Sequence, residues 1–272
     1  MAALYFKGDH NKHAFLDRDK NDEDYVDMME FLRRSKICYA LLQYPAIIYE
    51  SLVVQFWETA QVRTVGDGPT EIVAVIDGEE YVVTESLVRT KLQLDDEGGV
   101  TELPKGDILR GLQAAGYTGD GKVWYKNLFC PKWRFLTHTL LQCMGSKSGG
   151  WDQFSTDIAL AIVCLSQGRT FNFSRYIFNA MLENVKDTKL KYLLYPRFLQ
   201  IILDIETTDP THLPVKGLSK KLFSKMKFKF NGEIQPLLPA MLPGGNPLDD
   251  AAADAPVGNP PDGVATDASD GV

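Results

Sequence analysis

Apolar residues recur at helical spacing through most of the chain. In "DEDYVDMMEFLRR" this spacing places Tyr25, Met28 and Leu32 on one face, with acids at the start and arginines at the end, where they suit the helix dipole. After Pro45, "AIIYESLVVQFWETAQ" carries a second stripe of this kind. Both segments are therefore predicted to form helices that bury one face.

Further helices are predicted in the second half of the chain, and their apolar faces differ in width. The segment "DQFSTDIALAIVCLSQG" after Trp151 is apolar nearly all round, which predicts a central helix. "SRYIFNAMLENV" is expected to begin at Ser174, because a hydroxyl at the N-cap can accept from the free N–H groups of the first turn. The same periodicity is present in "ESLVRTKLQL", "KGDILRGLQAAG" and "YPRFLQIILDI".

One stretch follows a different period. In "VRTVGDGPTEIVAVIDGEEYVVTES" apolar and polar residues alternate, as they do in strands with one buried face. Asp77-Gly78 lies between two runs rich in β-formers, and this dipeptide favours a tight hairpin turn. The pattern predicts a small antiparallel sheet of two or three strands near residues 61–84.

The pattern as a whole predicts a mainly α protein of the α+β kind. A single mostly helical domain is expected over residues 21–242, with the hairpin sheet inserted near its start. Residues 1–20 are dense in Asp, Lys and His and are expected to be loosely held. Residues 243–272 are rich in Gly, Pro, Ala and Asp and contain no aromatic residue. They bury too little apolar surface to offset the entropy of ordering, which predicts a disordered acidic tail.

The charge of the chain is unevenly distributed. The net charge is −7, but seven of the 36 acidic residues lie after Asn231, where there is no Lys or Arg. The rest of the chain has 29 acidic and 29 basic residues, so it is neutral. A neutral domain lacks the general basic surplus of a protein that wraps nucleic acid.

Cysteine usage and hydropathy indicate a cellular compartment. The four cysteines lie in hydrophobic surroundings without paired spacing, which favours a reduced protein without disulfides. The N-terminal "MAALYFKGDHNKH" lacks the layout of a signal peptide, and no window approaches the roughly 18 apolar residues of a membrane span. We expect an intracellular protein, in the cytoplasm or the nucleus, that does not associate with membranes.

The stretch "FCPKWRFLTHTLLQC" contains a possible metal motif. Cys130, Trp133, His138 and Cys143 have the spacing of a retroviral zinc knuckle whose second cysteine is replaced by tryptophan. A knuckle needs four ligands in a polar, glycine-rich loop, whereas the residues between these positions are apolar and helix-compatible. Pro131 suits the first position of a helix with Cys130 at its N-cap. The segment is predicted to be a capped core helix with His138 on its edge, and no metal is assigned to it.

Two other segments resemble ligand loops. Gly116, Gly121 and Lys122 satisfy G-x4-G-K, but Val123 stands where a phosphate-binding loop has Ser or Thr, and the segment follows a predicted helix rather than a strand. We predict a surface turn and no nucleotide. The acidic run 95–99, "DDEGG", is interpreted as a solvated loop that ends a helix.

The sequence contains no recognisable catalytic motif or cofactor-binding motif. His10 and His13 fall in the segment expected to be loosely held, and no nucleophile elbow, H-E-x-x-H or kinase signature is present. We therefore predict a non-enzymatic protein without a cofactor.

A lysine-rich segment, "VKGLSKKLFSKMKFKF", carries six lysines, no acid and three interleaved phenylalanines. Lysines track phosphates and aromatic rings stack on bases, so the segment is a candidate contact for single-stranded nucleic acid. The alternative is an amphipathic helix and short strand with solvated lysines. The candidate contact residues are Lys220, Lys221, Lys225, Lys227, Lys229 and Phe228.

Several blocks in a fixed order carry a resemblance to a known domain. Among them are "EFLRRSKICYALLQYPAIIYESLVVQFWETA", "VIDGEEYVVTESLVRTKLQLDDEGGV" and "WDQFSTDIALAIVCLSQGRTFNFSRYIFNAML". From Tyr25 to Leu242 the chain resembles a plant retrotransposon domain that occurs alone or downstream of the reverse transcriptase and RNase H region of copia-type polyproteins. This domain usually has Ser at the place of Cys130, which makes Cys130 a variant of an N-cap. No catalytic residue is implied by the resemblance.

Three hypotheses about function follow. The first is a non-catalytic, retrotransposon-derived interaction domain that assembles with itself, or with element RNA, in the manner of a capsid protein. The second is a host intracellular adaptor that shares the domain and binds protein partners. The third, an enzyme of transposition or phosphoryl transfer, has no residues in the sequence to perform the reaction.

Overall fold

The computed structural model describes residues 3–5, 10–16, 23–64, 66, 68–146, 150, 152–188, 190–205 and 235–245. These residues contain nine α-helices and seven strands. The helices are α1 Val26–Arg34, α2 Cys38–Leu42, α3 Glu50–Thr59, α4 Glu85–Leu92, α5 Lys105–Ala114, α6 Pro131–Cys143, α7 Thr156–Gln167, α8 Phe173–Lys186 and α9 Pro196–Leu203. The strands are β1 Ala3–Tyr5, β2 Gln61–Thr64, β3 Thr70–Ile76, β4 Glu79–Val83, β5 Trp124–Tyr125, β6 Gln153–Phe154 and β7 Leu190–Tyr192. The prediction of a mainly helical fold with a small antiparallel sheet is confirmed.

The main sheet has three antiparallel strands in the order β2-β3-β4. Asp77 and Gly78 form the turn between β3 and β4, with φ angles of 52° and 86°. Positive φ at both central residues is the geometry of a tight hairpin turn, which explains why this dipeptide predicted it. Ile72, Ala74 and Ile76 alternate on the buried face, and β3 packs against α3.

Two smaller ribbons join distant parts of the chain. β1 pairs in parallel with β7, so a segment near the N-terminus lies beside one almost two hundred residues later. β5 pairs antiparallel with β6, with Trp124 opposite Phe154. Neither ribbon shows a periodic pattern in the sequence, because strands of two or three residues are too short to display one.

Helix α7 lies at the centre of the core, as its uniform apolarity predicted. Ile158, Leu160, Ile162 and Cys164 are all buried, and α7 packs against α5 and α6. The approach of α5 is close, because a Cβ atom at Gly111 would lie 2.6 Å from Val163 Cγ1. The C-terminal end of the described part also packs on α7 through the 3₁₀ turn Pro239–Met241.

The start of α8 differs from the prediction. The N-cap is Asn172, whose side-chain oxygen accepts a hydrogen bond from Arg175 N–H, and Ser174 lies inside the first turn. Asn is as good a capping residue as Ser, so local propensity does not distinguish the two positions. The position of Ser174 follows from a tertiary contact with Asp96.

Residues 10–16 are firmly packed, although the sequence predicts that residues 1–20 are loosely held. His10, Asn11, Ala14 and Leu16 are buried in the core. Lys12 N–H donates to the carbonyl of Gln142, and Ala14 N–H donates to that of Leu41. The burial of this segment is not evident from its sequence, because its polar groups are satisfied by hydrogen bonds to backbone groups that are distant in the sequence. The predicted acidic tail lies outside the described residues after residue 245.

Candidate functional site

Helix α6 is the former zinc-knuckle candidate, and the structure confirms that it is a core helix. Pro131 occupies its first turn, and Cys130 stands at the N-cap in extended conformation. Within the described part of the chain, the Cys130 thiol makes no capping hydrogen bond. Trp133 and Cys143 are buried on the apolar face. The described residues contain no group of three or more His, Cys, Asp or Glu side chains placed to hold a metal ion.

The buried thiols are poor nucleophiles. Burial raises the pKa of Cys143 on α6 to about 12, although the neighbouring charges of Arg197 and Lys12 oppose the shift. Burial raises the pKa of Cys164 on α7 to about 11. Because the thiolate is the reactive form, both cysteines are unreactive near neutral pH.

His138 is held in the neutral state. The pKa of His138 is lowered to about 4, first by burial and then by the charges of Lys126 and Lys12, while Asp152 opposes them more weakly. The Lys126 Nζ atom lies 3.2 Å from His138 Nδ1. A neutral ring accepts a hydrogen bond from the ammonium group through this nitrogen. A histidine with so low a pKa is mostly unable to act as a general base near neutral pH.

Cationic side chains lie near His138 along the partly exposed edge of α6. Arg134 precedes His138 by one helical turn, and the Arg134 guanidinium donates to the carbonyls of Asn127 and Phe129. Lys12 is held beside α6 because its backbone N–H donates to the carbonyl of Gln142, and Gln142 follows His138 by one helical turn. We call the set Lys12, Lys126, Arg134 and His138 the α6 basic row.

The glycine-containing loop before β5 is a surface turn, as predicted. α5 ends at Ala114, and the loop leads into β5 and the 3₁₀ turn Lys126–Leu128 rather than into an α-helix. Gly116 and Gly121 have φ angles of 81° and 76°. Lys122 N–H donates to Asp120 Oδ1 at 3.0 Å, which closes a local turn. A phosphate-binding loop needs the free N–H groups of a following helix, and this loop does not provide them.

The interpretation of the acidic run as a solvated loop is wrong for Asp96. The Asp96 carboxylate is buried and accepts from Arg89 Nε at 2.9 Å, from Ser174 N–H at 2.7 Å and from the Ser174 hydroxyl at 2.5 Å. It therefore joins the end of α4 to the first turn of α8, where the helix dipole favours a negative charge. Asp95 is exposed and pairs with Lys36 at 3.0 Å.

Sequence reasoning missed a buried arginine that connects four segments. Arg197 on α9 is fully buried, and burial lowers its pKa to about 10. Its guanidinium group is planar, carries several N–H donors in fixed directions and donates to four carbonyl oxygens. The acceptors are the carbonyls of Asn11, Ala40, Gln43 and Cys143, at 2.7–3.3 Å.

The same N-terminal segment caps α9. Asn11 Oδ1 accepts from Phe198 N–H at 3.0 Å, and His10 Nε2 accepts from Tyr195 N–H at 2.8 Å. Tyr195 precedes the helix at a φ of 52°, in the left-handed region. The cap is thus supplied by residues far away in the sequence rather than by a neighbour of the helix.

A polar groove of about 530 Å³ lies along the outer face of α8. Four carboxylates line it, together with Arg175 and several amide side chains. The carboxylates belong to Glu102, Asp157, Glu183 and Asp187. Asn184 at its edge accepts from Tyr192 N–H and donates to the Tyr192 carbonyl, so this amide serves the fold.

A second groove, of about 850 Å³, is lined by seven apolar or aromatic side chains and six polar or charged ones. It lies where the segment after α2 meets α9. Ile47 is 46% exposed there, and the Lys91 ammonium and Asp204 carboxylate form a 3.1 Å ion pair on the rim. We call it the Ile47 groove. Its apolar and aromatic lining comprises Tyr39, Pro45, Ala46, Ile47, Tyr49, Ile201 and Ile205.

The lysine-rich segment predicted to contact nucleic acid lies outside the described residues. This applies to Lys220, Lys221, Lys225, Lys227, Lys229 and Phe228. The hypothesis about these six residues stays a prediction.

Within the described residues, no helix combines the length and the apolar character that crossing a bilayer requires. Comparison of the chain with known protein families, with curated proteins and with solved structures found no match.

Proposed function

We propose that the chain is a non-catalytic interaction domain of a transposable element, which associates with copies of itself and with element RNA in the manner of a capsid protein. The observation that carries the proposal is the Ile47 groove. Exposed apolar surface rimmed by polar groups is typical of protein-binding sites. The origin in an element rests on the ordered blocks between Tyr25 and Leu242 that resemble a plant retrotransposon domain.

The chemistry of the titratable groups supports a binding role. A nucleophile needs a lowered pKa or an adjacent base, and the thiols of Cys143 and Cys164 have raised pKa values. His138 has a pKa far below neutrality. The buried ionic groups Asp96 and Arg197 are engaged in hydrogen bonds that join helices.

The charges on the rim suit a second copy of the same chain. A two-fold contact presents one patch twice, so charges of both signs on its rim can pair across the symmetry axis. Lys91 and Asp204 supply both signs at one edge of the Ile47 groove. In a symmetric pair, each lysine can face the aspartate of the other copy while the apolar lining is covered.

Size-exclusion chromatography with light scattering tests this proposal. The wild-type mass should exceed the monomer mass of 30.4 kDa and rise with concentration. Ile47→Asp should give a monomer, because association would bury an unpaired carboxylate. Leu242→Asp is the matched control, since Leu242 is 47% exposed and does not line the groove. A wild-type protein that stays monomeric at every concentration contradicts the assembly proposal.

A further inference from the structure

Helix α6 presents only basic side chains at its surface. Eleven of its thirteen residues are buried, and the two that are not are Arg134 and His138. The helix contains no acidic residue. The requirements of core packing fix the residue types at the other positions of α6, but not at these two partly exposed positions. Both of them carry a basic residue.

Two lysines from other elements extend this surface. Lys126 comes from the 3₁₀ turn after β5, and its side chain is 12% exposed beside the His138 ring. Lys12 comes from the N-terminal segment, tied by its backbone N–H to Gln142. Positions 134, 138 and 142 of α6 are neighbours on one face, each one turn apart. The α6 basic row therefore runs along the helix and is assembled from three separate segments.

The electrostatic field along the row favours anions. Asp152 lies 3.6 Å from Lys126 Nζ and is largely exposed, so solvent screens it. The effect of Lys126 and of Lys12 on the pKa of His138 each exceeds the opposing effect of Asp152. A fixed positive potential beside a nearly buried ammonium group is suited to phosphate oxygens.

An exposed aromatic side chain lies one residue before Lys126 in the sequence. Tyr125 in β5 directly precedes Lys126 and is 36% exposed. Its hydroxyl accepts a hydrogen bond from Gln153 Nε2 at 2.9 Å, which fixes the ring on the β5–β6 ribbon. An anchored and exposed ring can stack with a base, provided that the base is not already stacked in a duplex.

We infer that the α6 basic row binds single-stranded nucleic acid, with phosphates along Arg134, Lys12 and Lys126 and a base against Tyr125. The inference deepens the proposed function, because it rests on element RNA as the partner and names the surface that holds it. It does not depend on self-association through the Ile47 groove. It also assigns the contact to a surface other than the lysine-rich segment.

Fluorescence anisotropy with labelled oligouridine tests the phosphate contacts. Lys12→Gln combined with Lys126→Gln should weaken binding about tenfold or more. The slope of log K against log salt should become shallower by about 0.7 for each phosphate that the variant no longer neutralises. Lys36→Gln is the matched control, because it removes an exposed lysine elsewhere and should leave both quantities unchanged. Thermal unfolding by circular dichroism verifies that each variant is folded.

A second pair of variants tests the stacking contact. Tyr125→Ala should weaken oligouridine binding about tenfold, as expected when one base loses its stacking partner. Tyr125→Phe keeps the ring and gives up only the bond to Gln153, so its affinity should match that of the wild type. Equal affinities of the Tyr125→Ala and Tyr125→Phe variants for oligouridine would show that no base stacks on the Tyr125 ring.

Three outcomes would overturn the inference. The first is a wild-type protein without measurable affinity for oligouridine. The second is equal affinity for polyglutamate, which indicates general attraction to polyanions. The third is binding that survives in the Lys12/Lys126 variant and disappears when the five predicted lysines, Lys220, Lys221, Lys225, Lys227 and Lys229, are changed to Gln. A monomer that still binds oligouridine through the row would refute the assembly proposal and support this inference.

Discussion

His138 shows how burial and neighbouring charge act together on one side chain. Its ring is mostly enclosed, and the ammonium group of Lys126 faces Nδ1 at 3.2 Å. Burial, Lys126 and Lys12 all disfavour the protonated ring, and Asp152 favours it weakly. The folded state therefore binds a proton on His138 less readily than the unfolded state does.

This difference predicts a pH dependence of stability. The pKa of His138 is lowered from 6.5 to about 4 on folding, so its neutral form favours the fold fully above pH 6.5. As the pH falls from 6.5 toward 4, the unfolded chain takes up a proton first and stability is lost, by about 3 kcal/mol at the lower end. Urea unfolding at several pH values should show this loss. His138→Gln should show a loss smaller by about that amount, whereas an identical pH profile in the variant would contradict the prediction.

The helices differ in whether the residues that cap them can be recognised from the sequence. The extent of α7 is predictable because its caps are local: the Ser155 side chain accepts from Ile158 N–H, and Gly168 ends the helix at a φ of 71°. Pro196 marks the start of α9 in the sequence, but the source of its cap is not predictable, because the cap comes from His10 and Asn11. For the same reason the burial of residues 10–16 cannot be predicted from their polar sequence.

The distant cap on α9 can be tested at the level of this element. Asn11→Ala removes the acceptor for Phe198 N–H and the donor to the Cys143 carbonyl, both of which are buried. We expect a loss of about 2–3 kcal/mol, because the cap is lost, the buried Phe198 N–H is left unpaired and the Cys143 carbonyl keeps only its bond from Arg197. Asn172→Ala removes the local cap of α8 and should cost about 1 kcal/mol. Urea unfolding measures both, and equal losses would show that the N-terminal segment adds nothing beyond an ordinary cap.

At the scale of the whole molecule, polar contacts join segments that the hydrophobic pattern treats separately. The sequence predicts the helices and the hairpin sheet, because each is encoded by periodicity within one segment. It does not predict that the Asp96 carboxylate is buried and accepts a hydrogen bond from Ser174 N–H. Nor does it predict that Lys12 and Lys126 lie beside α6 and complete the α6 basic row. These arrangements depend on tertiary contacts between residues distant in sequence.

Arg197 is the clearest example of such a contact. Its guanidinium holds the carbonyls of the N-terminal segment, α2, the residue after α2, and α6 around the start of α9. Replacement by a hydrophobic residue of similar size removes the cost of a buried charge, but it leaves the carbonyls of Asn11, Ala40 and Gln43 without this donor. The Cys143 carbonyl keeps its bond from Asn11 Nδ2. With several carbonyls affected at once, we expect the second effect to prevail.

Arg197→Met should therefore lower the free energy of unfolding by about 3–5 kcal/mol, and Arg197→Lys, which reaches fewer carbonyls, by somewhat less. Urea unfolding should be followed by tryptophan fluorescence and by far-UV circular dichroism together. The two probes should shift to lower urea in parallel, because the arginine ties both halves of the chain into one cooperative unit. Arg63→Met is the control: Arg63 pairs with Glu71 and Glu80 on the exposed face of the sheet, so its loss should cost at most about 1 kcal/mol. An Arg197→Met protein as stable as the wild type would mean that the carbonyls find other donors and that the four segments are held together by the apolar core alone.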